Sequence, residues 1–266
     1  MKRGGWAIAA GLIIACGVMR PAWAESVAPA VRVGVTRGVH ADILDEVKRV
    51  AAARGLAVDV IAFDDASRID AALAGGSIDA ASFEDAQRLS ATRAAKGYAL
   101  TAVAPTVTLP MALYSRKLKN LNELQPGATV ALPADPRGMA RALVLLQNDT
   151  LVTLREKAGL HATLRDVTGN RLALKFDALR RDRLHAALDS AAFVAIDSDD
   201  ATRMGLQPAR DSINLEDARS PYANVLTVRE ADRAKPWVAQ LVAAYHSDDV
   251  AHFILTRYQD SVRRPW

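Results

Sequence analysis

The chain has 266 residues, half of them hydrophobic, with 34 Lys+Arg against 30 Asp+Glu and one cysteine. Three of the cations (Lys2, Arg3, Arg20) and none of the acids lie in the first 24 residues, so the remainder carries a net charge of only +1. That excludes the overall basic surplus on which nucleic-acid binding depends, and the lone Cys16 excludes a disulfide framework.

In chain order, the first element reads as an export signal. Lys2 and Arg3 form a positive start, no charge occurs from Trp6 to Met19, and Ala22-Trp23-Ala24 makes a small-residue cleavage site. Residues 1–24 are therefore expected to be a signal peptide, with the protein exported to the periplasm. The apolar run is too short to span a bilayer. Ile13-Ile14-Ala15-Cys16-Gly17 also fits a bacterial lipoprotein site. In that alternative Cys16 is lipidated and the protein meets the membrane only through its lipid. Cleavage after Ala24 would remove the chain's only thiol, and with it any cysteine nucleophile or Cys-ligated metal.

Val31–Val35 reads as a strand. A helix follows over His40–Arg54, with Ile43, Leu44, Val47, Val50 and Ala51 at helical spacing and Gly55 as its stop. Leu56–Phe63 is a second strand. Asp64 or Asp65 caps a short helix carrying Ile69 and Leu73, which ends at Gly75-Gly76. Ile78–Ser82 is a third strand, Phe83–Lys96 a helix and Tyr98–Ala104 a fourth strand. This alternation predicts an α/β lobe built on a mostly parallel sheet.

Leu109–Ser115 reads as a strand leaving that lobe. A second unit then brings a strand at Thr129–Leu132, a helix at Arg137–Asn148, strands at Leu172–Phe176 and Phe193–Ile196, and a helix at Arg183–Asp189. Tyr222–Val228 returns to the first lobe, and helices at Pro236–Tyr245 and Val250–Tyr258 complete it. The expected division is 31–113 with 225–266 as lobe 1 and 114–224 as lobe 2. Two α/β lobes joined by two crossings have a ligand cleft between them, beyond the carboxyl ends of the strands, and hinge closure follows from that architecture.

Several phrases in this order carry a resemblance: Val31-Arg32-Val33-Gly34-Val35, Gly76-Ser77-Ile78-Asp79-Ala80, Leu121-Asn122-Glu123-Leu124, Asp135-Pro136 leading to Arg141, Met204-Gly205-Leu206 and Ser220-Pro221-Tyr222-Ala223-Asn224. Over residues 31–266 the chain resembles the methionine-binding lipoprotein (MetQ/NlpA) family. The resemblance implies a type II periplasmic-binding-protein fold. It implies an extracytoplasmic solute-binding protein of an ABC importer that binds an amino acid, usually methionine, and delivers it to a permease and ATPase complex. It implies no cofactor. A monomer is the default for such a hinged receptor.

The resemblance also implies site residues. Arg141 matches the arginine that pairs with the substrate carboxylate, a task suited to the guanidinium fork; the alternative is a solvent-facing helix arginine. Asn224 matches an asparagine at the ligand, whose amide can donate and accept; the alternative is a turn residue. Phe83 matches an aromatic wall at the start of the third helix, or is an ordinary core residue. The departures from the family pattern are concentrated around these positions. Glu84, Asp85 and Arg88 stand where the family has Gln, His and Tyr, Leu109 replaces a Tyr before Pro110, and Asp197 and Asp200 replace Asn and Tyr. Arg137 and Gly138 alter the helix start after Asp135-Pro136. Methionine needs an apolar, polarizable pocket, and these changes make the pocket more polar. Asp197 is a candidate partner for an α-ammonium, and Asp85 for a polar or cationic side chain, so a more polar amino acid or a small peptide is an alternative ligand. Helix-terminal charge is the competing role for Glu84, Asp85, Asp199 and Asp200.

Two other classes compete. For an enzyme there is no G-x-G-x-x-G, G-x-S-x-G or H-E-x-x-H motif, and the five histidines are scattered. Asp197-Ser198-Asp199-Asp200 lacks EF-hand spacing for a hard cation. The reading is therefore no enzyme and no metal. The remaining rival is a non-transport surface or sensory protein that keeps the fold.

Overall fold

Val31, Val33 and Val35 alternate with Arg32, Gly34 and Thr36, a period-two pattern that turns the valines to one face of a strand. A computed structural model describes Met1 and residues 29–266; the signal-peptide and Cys16 expectations lie outside the described residues. The first lobe comprises β1 (Val31–Thr36), α1 (Val39–Ala53), β2 (Val58–Phe63), α2 (Ile69–Ala74), β3 (Ala80–Asp85), α3 (Ala86–Lys96) and β4 (Leu100–Pro105). The chain then crosses to β5 (Ala112–Tyr114), β6 (Thr129–Pro133), α4 (Pro136–Asn148), β7 (Val152–Leu154), β8 (Val167–Asn170), β9 (Lys175–Leu179), α5 (Arg181–Ala187), β10 (Val194–Ile196), α6 (Ser198–Arg203), α7 (Pro208–Asp211) and β11 (Ser212–Leu215). It returns through β12 (Asn224–Arg229) to α8 (Pro236–Tyr245) and α9 (Asp248–Tyr258).

Two five-stranded sheets result, ordered β2-β1-β3-β12-β4 and β11-β5-β10-β6-β9. In each, the strand that arrives by a crossing runs against its neighbours: β12 is antiparallel to β3 and β4, and β5 is antiparallel to β10 and β11. The other pairings in these two sheets are parallel. Each sheet is covered on both faces. In the first, Val33, Ile43, Leu44, Val47 and Leu241 pack on one side, and Ile69, Leu73, Ile78, Leu89 and Leu100 on the other. In the second, Leu113, Val130 and Leu132 face the α4 core while Ala112, Tyr114 and Ala131 face α5. Gly34 sits where a Cβ would come within 2.4 Å of Ile78 Cδ1, so the absence of a side chain lets α2 and its loop close on the sheet.

Some elements differ from the sequence reading. The third strand runs on through Phe83, Glu84 and Asp85, and the following helix starts only at Ala86. Phe83 is therefore a strand residue rather than the start of a helix. The strand extends because β12 pairs along it, with Asn224 opposite Asp85 and Val225 opposite Glu84. β5 belongs to the second sheet from Ala112, and Asn224 already belongs to the first. The chain thus changes lobes slightly before residue 113 and slightly before residue 224. The strand expected at Leu172–Phe176 lies at Lys175–Leu179. The β7–β8 hairpin, α6, α7 and β11 had no counterpart in the periodicity.

The two crossings, residues 106–111 and 216–223, run side by side. Asn224 N donates to Val107 O at 2.8 Å, Thr106 N to Asn224 O at 2.7 Å, and Glu216 N to Met111 O at 2.9 Å. The C-terminal residues brace them. Thr108 and Arg263 exchange backbone bonds of 2.8 and 2.9 Å, and Trp266 Nε1 donates to Thr106 O at 2.7 Å.

Candidate functional site

At the carboxyl ends of β1, β3, β9 and β10, between the two sheets, lies a cavity of about 360 Å³, within the range of small-molecule sites. Thr36, His40, Phe83, Glu84, Asp85, Arg88 and Asn224 line it from the first lobe. Arg137, Arg141, Arg181, Asp197 and Asp199 line it from the second, with Leu109 and Tyr222 from the crossings. All six residues singled out in the sequence, Arg141, Asn224, Phe83, Asp197, Asp85 and Leu109, are on its wall.

Asp135 and Pro136 decide where α4 begins. The Asp135 carboxylate caps Gly138 N at 2.8 Å, and Pro136 occupies the first turn, where no N–H is needed. One turn further in, Arg141 is only 12% exposed. Its Nε donates to Glu216 at 3.0 and 3.2 Å, and its Nη2 to Leu109 O at 2.8 Å and also to Glu216. Glu216 is buried as well, and accepts from Met111 N at 3.0 Å and Ser220 Oγ at 2.6 Å. The Nε–Nη2 edge of the arginine is thereby taken. Among the described residues Nη1 has no hydrogen-bond partner, so it is the Nη1 end that a carboxylate can use. A ligand fork on the Nε–Nη2 edge is ruled out by Glu216.

Tyr222, on the second crossing, packs against two of the arginines. The guanidinium carbons of Arg137 and Arg141 stand 5.1 and 5.0 Å from its ring centroid, a cation–π geometry. Its hydroxyl is buried without a partner among the described residues. Burial pushes its pKa up to about 12, so it keeps its proton.

Asp85 closes the end of β3. One carboxylate oxygen caps α3, accepting from Gln87 N and Arg88 N at 3.0 Å each, and the other pairs with Arg137 across the interlobe boundary. With both oxygens engaged, Asp85 acts as a helix cap and interlobe bridge rather than as a free carboxylate. Asp197 is similarly engaged: it caps α6 through Asp200 N at 3.0 Å and pairs with Arg181. Arg181 also reaches Asp135 at 2.9 Å and Asp200 at 2.7 Å. Among the described residues no His, Cys, Asp or Glu cluster is gathered to hold a metal.

Asn224 is buried and its Nδ2 lies 3.2 Å from His40 Nε2. Burial pulls the His40 pKa down to about 4, so the ring is neutral and, with the amide in this orientation, Nε2 accepts. Phe83 is half-buried beside the α3 core. Glu84 is 3% exposed, and its Oε1 has no partner among the described residues.

The NlpA lipoprotein family model matches residues 31–266. The chain belongs to the NlpA lipoprotein family. It is 38% identical over 171 residues to "Outer membrane lipoprotein 3" of Mannheimia haemolytica, covering 64% of this chain and 65% of that one. It is 42% identical over 157 residues to the D-methionine-binding lipoprotein MetQ of Escherichia coli (strain K12), covering 58% of each. These matches span less than two thirds of either relative. Solved structures align more fully. An ABC transporter periplasmic substrate-binding protein from Coxiella burnetii gives a TM-score of 0.71 at 37% identity, over 88% of this chain and 99% of that one. A nutrient-binding protein from Burkholderia cenocepacia, bound to methionine, gives 0.70 at 36%, over 88% and 99%. The fold of this NlpA protein is therefore that of the periplasmic substrate-binding proteins, and no described helix is long and apolar enough to cross a membrane.

Glu216, Tyr222, Arg181 and Arg137 were not assigned to the site from the sequence. Tyr222 stood within the Ser220–Asn224 phrase, and Arg137 stood among the departures, without a role. Glu216 had no signal at all, because one glutamate in a short loop is marked only by the burial that the crossing imposes.

Proposed function

We propose that this protein is the exported solute-binding component of an ABC importer, holding an amino acid between its lobes and delivering it to a membrane permease. The observation that carries this reading is Arg141: a largely covered guanidinium, held by Glu216 and Leu109 O, with its Nη1 end unpaired among the described residues in a cavity between two lobes. A ligand carboxylate completes its hydrogen bonding. The Tyr222 hydroxyl and the Asn224 amide supply further polar contacts, and Phe83 and Leu109 supply apolar wall.

In this reading the residues bind and orient a solute and perform no turnover. The named specificities and the methionine-bound structure among the relatives support an amino-acid-type ligand. The Asp85–Arg137 pair bridges the two lobes beside it. The test is calorimetric titration of protein stripped of ligand by unfolding and refolding, with L- and D-amino acids, on the wild type and Arg141→Lys. Binding to the wild type that weakens at least tenfold in the variant supports the reading. Equal binding by both would contradict the assignment of Arg141, and absence of any amino-acid binding would favour a non-transport role.

A further inference from the structure

Four arginines around the cavity are already neutralised from within. Arg37 pairs with Asp64, Arg137 with Asp85, Arg141 with Glu216, and Arg181 with Asp135, Asp197 and Asp200. Glu84 is the opposite case. Its side chain is buried in the cavity wall, Oε1 has no hydrogen-bond partner among the described residues, and the nearest cation, Arg88, stays 3.8 Å from Oε2 with half its side chain in solvent. Behind it, from α2, comes a second buried carboxyl, Asp70, within hydrogen-bonding reach of Glu84 and with its own Oδ1 unpartnered among the described residues.

Two buried carboxyls in contact cannot both ionise cheaply, so they hold a proton between them. Burial and the neighbouring Asp70 push Glu84 up to about 8, and burial raises Asp70 as well. The other charged or titratable groups on the cavity wall are Asp85 on the same strand, Arg88 on α3, His40 on α1, Arg37 after β1, Tyr222 on the crossing, and Arg137, Arg141, Arg181, Asp197 and Asp199 across the cavity. His40 stays neutral above about pH 4.

We infer that Glu84, backed by Asp70, is an ammonium subsite, and that the ligand's ammonium displaces the proton which the two carboxyls share. The inference rests on the amino-acid reading above. The Glu84 O–H bond ionises, its proton leaves for solvent, the carboxylate pairs with the ligand cation, and no other covalent bond changes. Glu84 thus takes the cation-reading role that the sequence suggested for Asp85, whose oxygens are engaged elsewhere. The ammonium is either the α-amino group, common to all amino acids, or the side chain of a basic one.

The test is calorimetric titration of the stripped protein with methionine, lysine and ornithine, between pH 6.5 and 8.5 and in two buffers of different ionisation enthalpy. For a group near pKa 8 that must ionise, affinity falls roughly twentyfold from pH 8.5 to pH 6.5, and close to one proton is released per ligand at the lower pH. Glu84→Gln, which keeps the shape, reduces the pH effect to less than twofold. Proton release with methionine as well as with lysine assigns the α-ammonium; release with lysine and ornithine alone assigns the side chain. Tight binding of any of these ligands with no proton release and no pH dependence overturns the inference but leaves the amino-acid reading standing. Absence of binding by these three ligands and by the panel of L- and D-amino acids overturns both. The buffer comparison needs only the wild type, so a variant that failed to fold would not spare the inference.

Discussion

Asp85, at the end of β3 in the first lobe, pairs with Arg137, in the first turn of α4 in the second. The acid is 3% exposed and the arginine 34%. The contact therefore couples a helix cap in one lobe to a helix start in the other, beside a cavity that both residues line.

Asp85→Asn keeps a capping acceptor for α3 but removes the charge that holds Arg137. A partly exposed pair of this kind contributes about 1 kcal/mol, or roughly a fivefold change in an equilibrium. That loss falls on the closed arrangement, the one in which the lobes touch. Ligand affinity should drop several-fold, and small-angle scattering should show a larger mean radius of gyration without ligand. An unchanged radius together with unchanged affinity would mean that the pair does not favour closure.

Arg141 and Glu216 form a buried couple, and removing one member leaves the other charge stranded. Arg141→Met is expected to destabilise the fold by about 3–5 kcal/mol in denaturant unfolding, with Arg141→Met/Glu216→Gln recovering a large part of it. Ligand binding should stay lost in both. A single variant within about 1 kcal/mol of the wild type would show that water or a rearranged cation replaces the guanidinium.

Stability should depend on pH from both sides. His40 is held neutral down to about pH 4, while the unfolded chain protonates it near 6.5, so the unfolded state binds more protons in that window and stability falls as the pH drops through it. Glu84 is the reverse. The folded protein keeps its proton up to about pH 8 while the unfolded chain loses it near 4.5, so stability falls as pH rises between those values. The acid limb amounts to about 3 kcal/mol at most and the alkaline limb to about 5 kcal/mol at most. His40→Gln should flatten the acid side and Glu84→Gln the alkaline side in urea unfolding series. Variants whose pH profiles parallel the wild type would contradict the burial of these groups.

Much of the architecture is legible in the chain because its signals are local. The 3.6-residue stripe of α1 and the Asp135-Pro136 start of α4 each lie within one short window. The end of β3 is not legible in that way. Phe83-Glu84-Asp85 reads as a helix start because acids favour the first turn, and only pairing with β12, almost 140 residues later, keeps those residues extended. The site divides along the same line. The positions of Arg141 and Asn224 follow from phrases in the chain, whereas the partner that occupies one edge of Arg141 follows from a crossing that buries Glu216. Asp85 and Asp197 looked available because a sequence does not reveal which carboxylates are already engaged by Arg137 and Arg181.

The central claim is that an amino acid binds at Arg141 between the lobes. The measurement that tests it most directly is the melting temperature of ligand-stripped protein against a panel of L- and D-amino acids, in the wild type and Arg141→Lys. Ligand that binds only the folded state raises the melting temperature by mass action. The account predicts a concentration-dependent rise with at least one amino acid in the wild type and little or none in the variant. A panel that leaves the wild type unmoved, or that shifts both proteins equally, would contradict it.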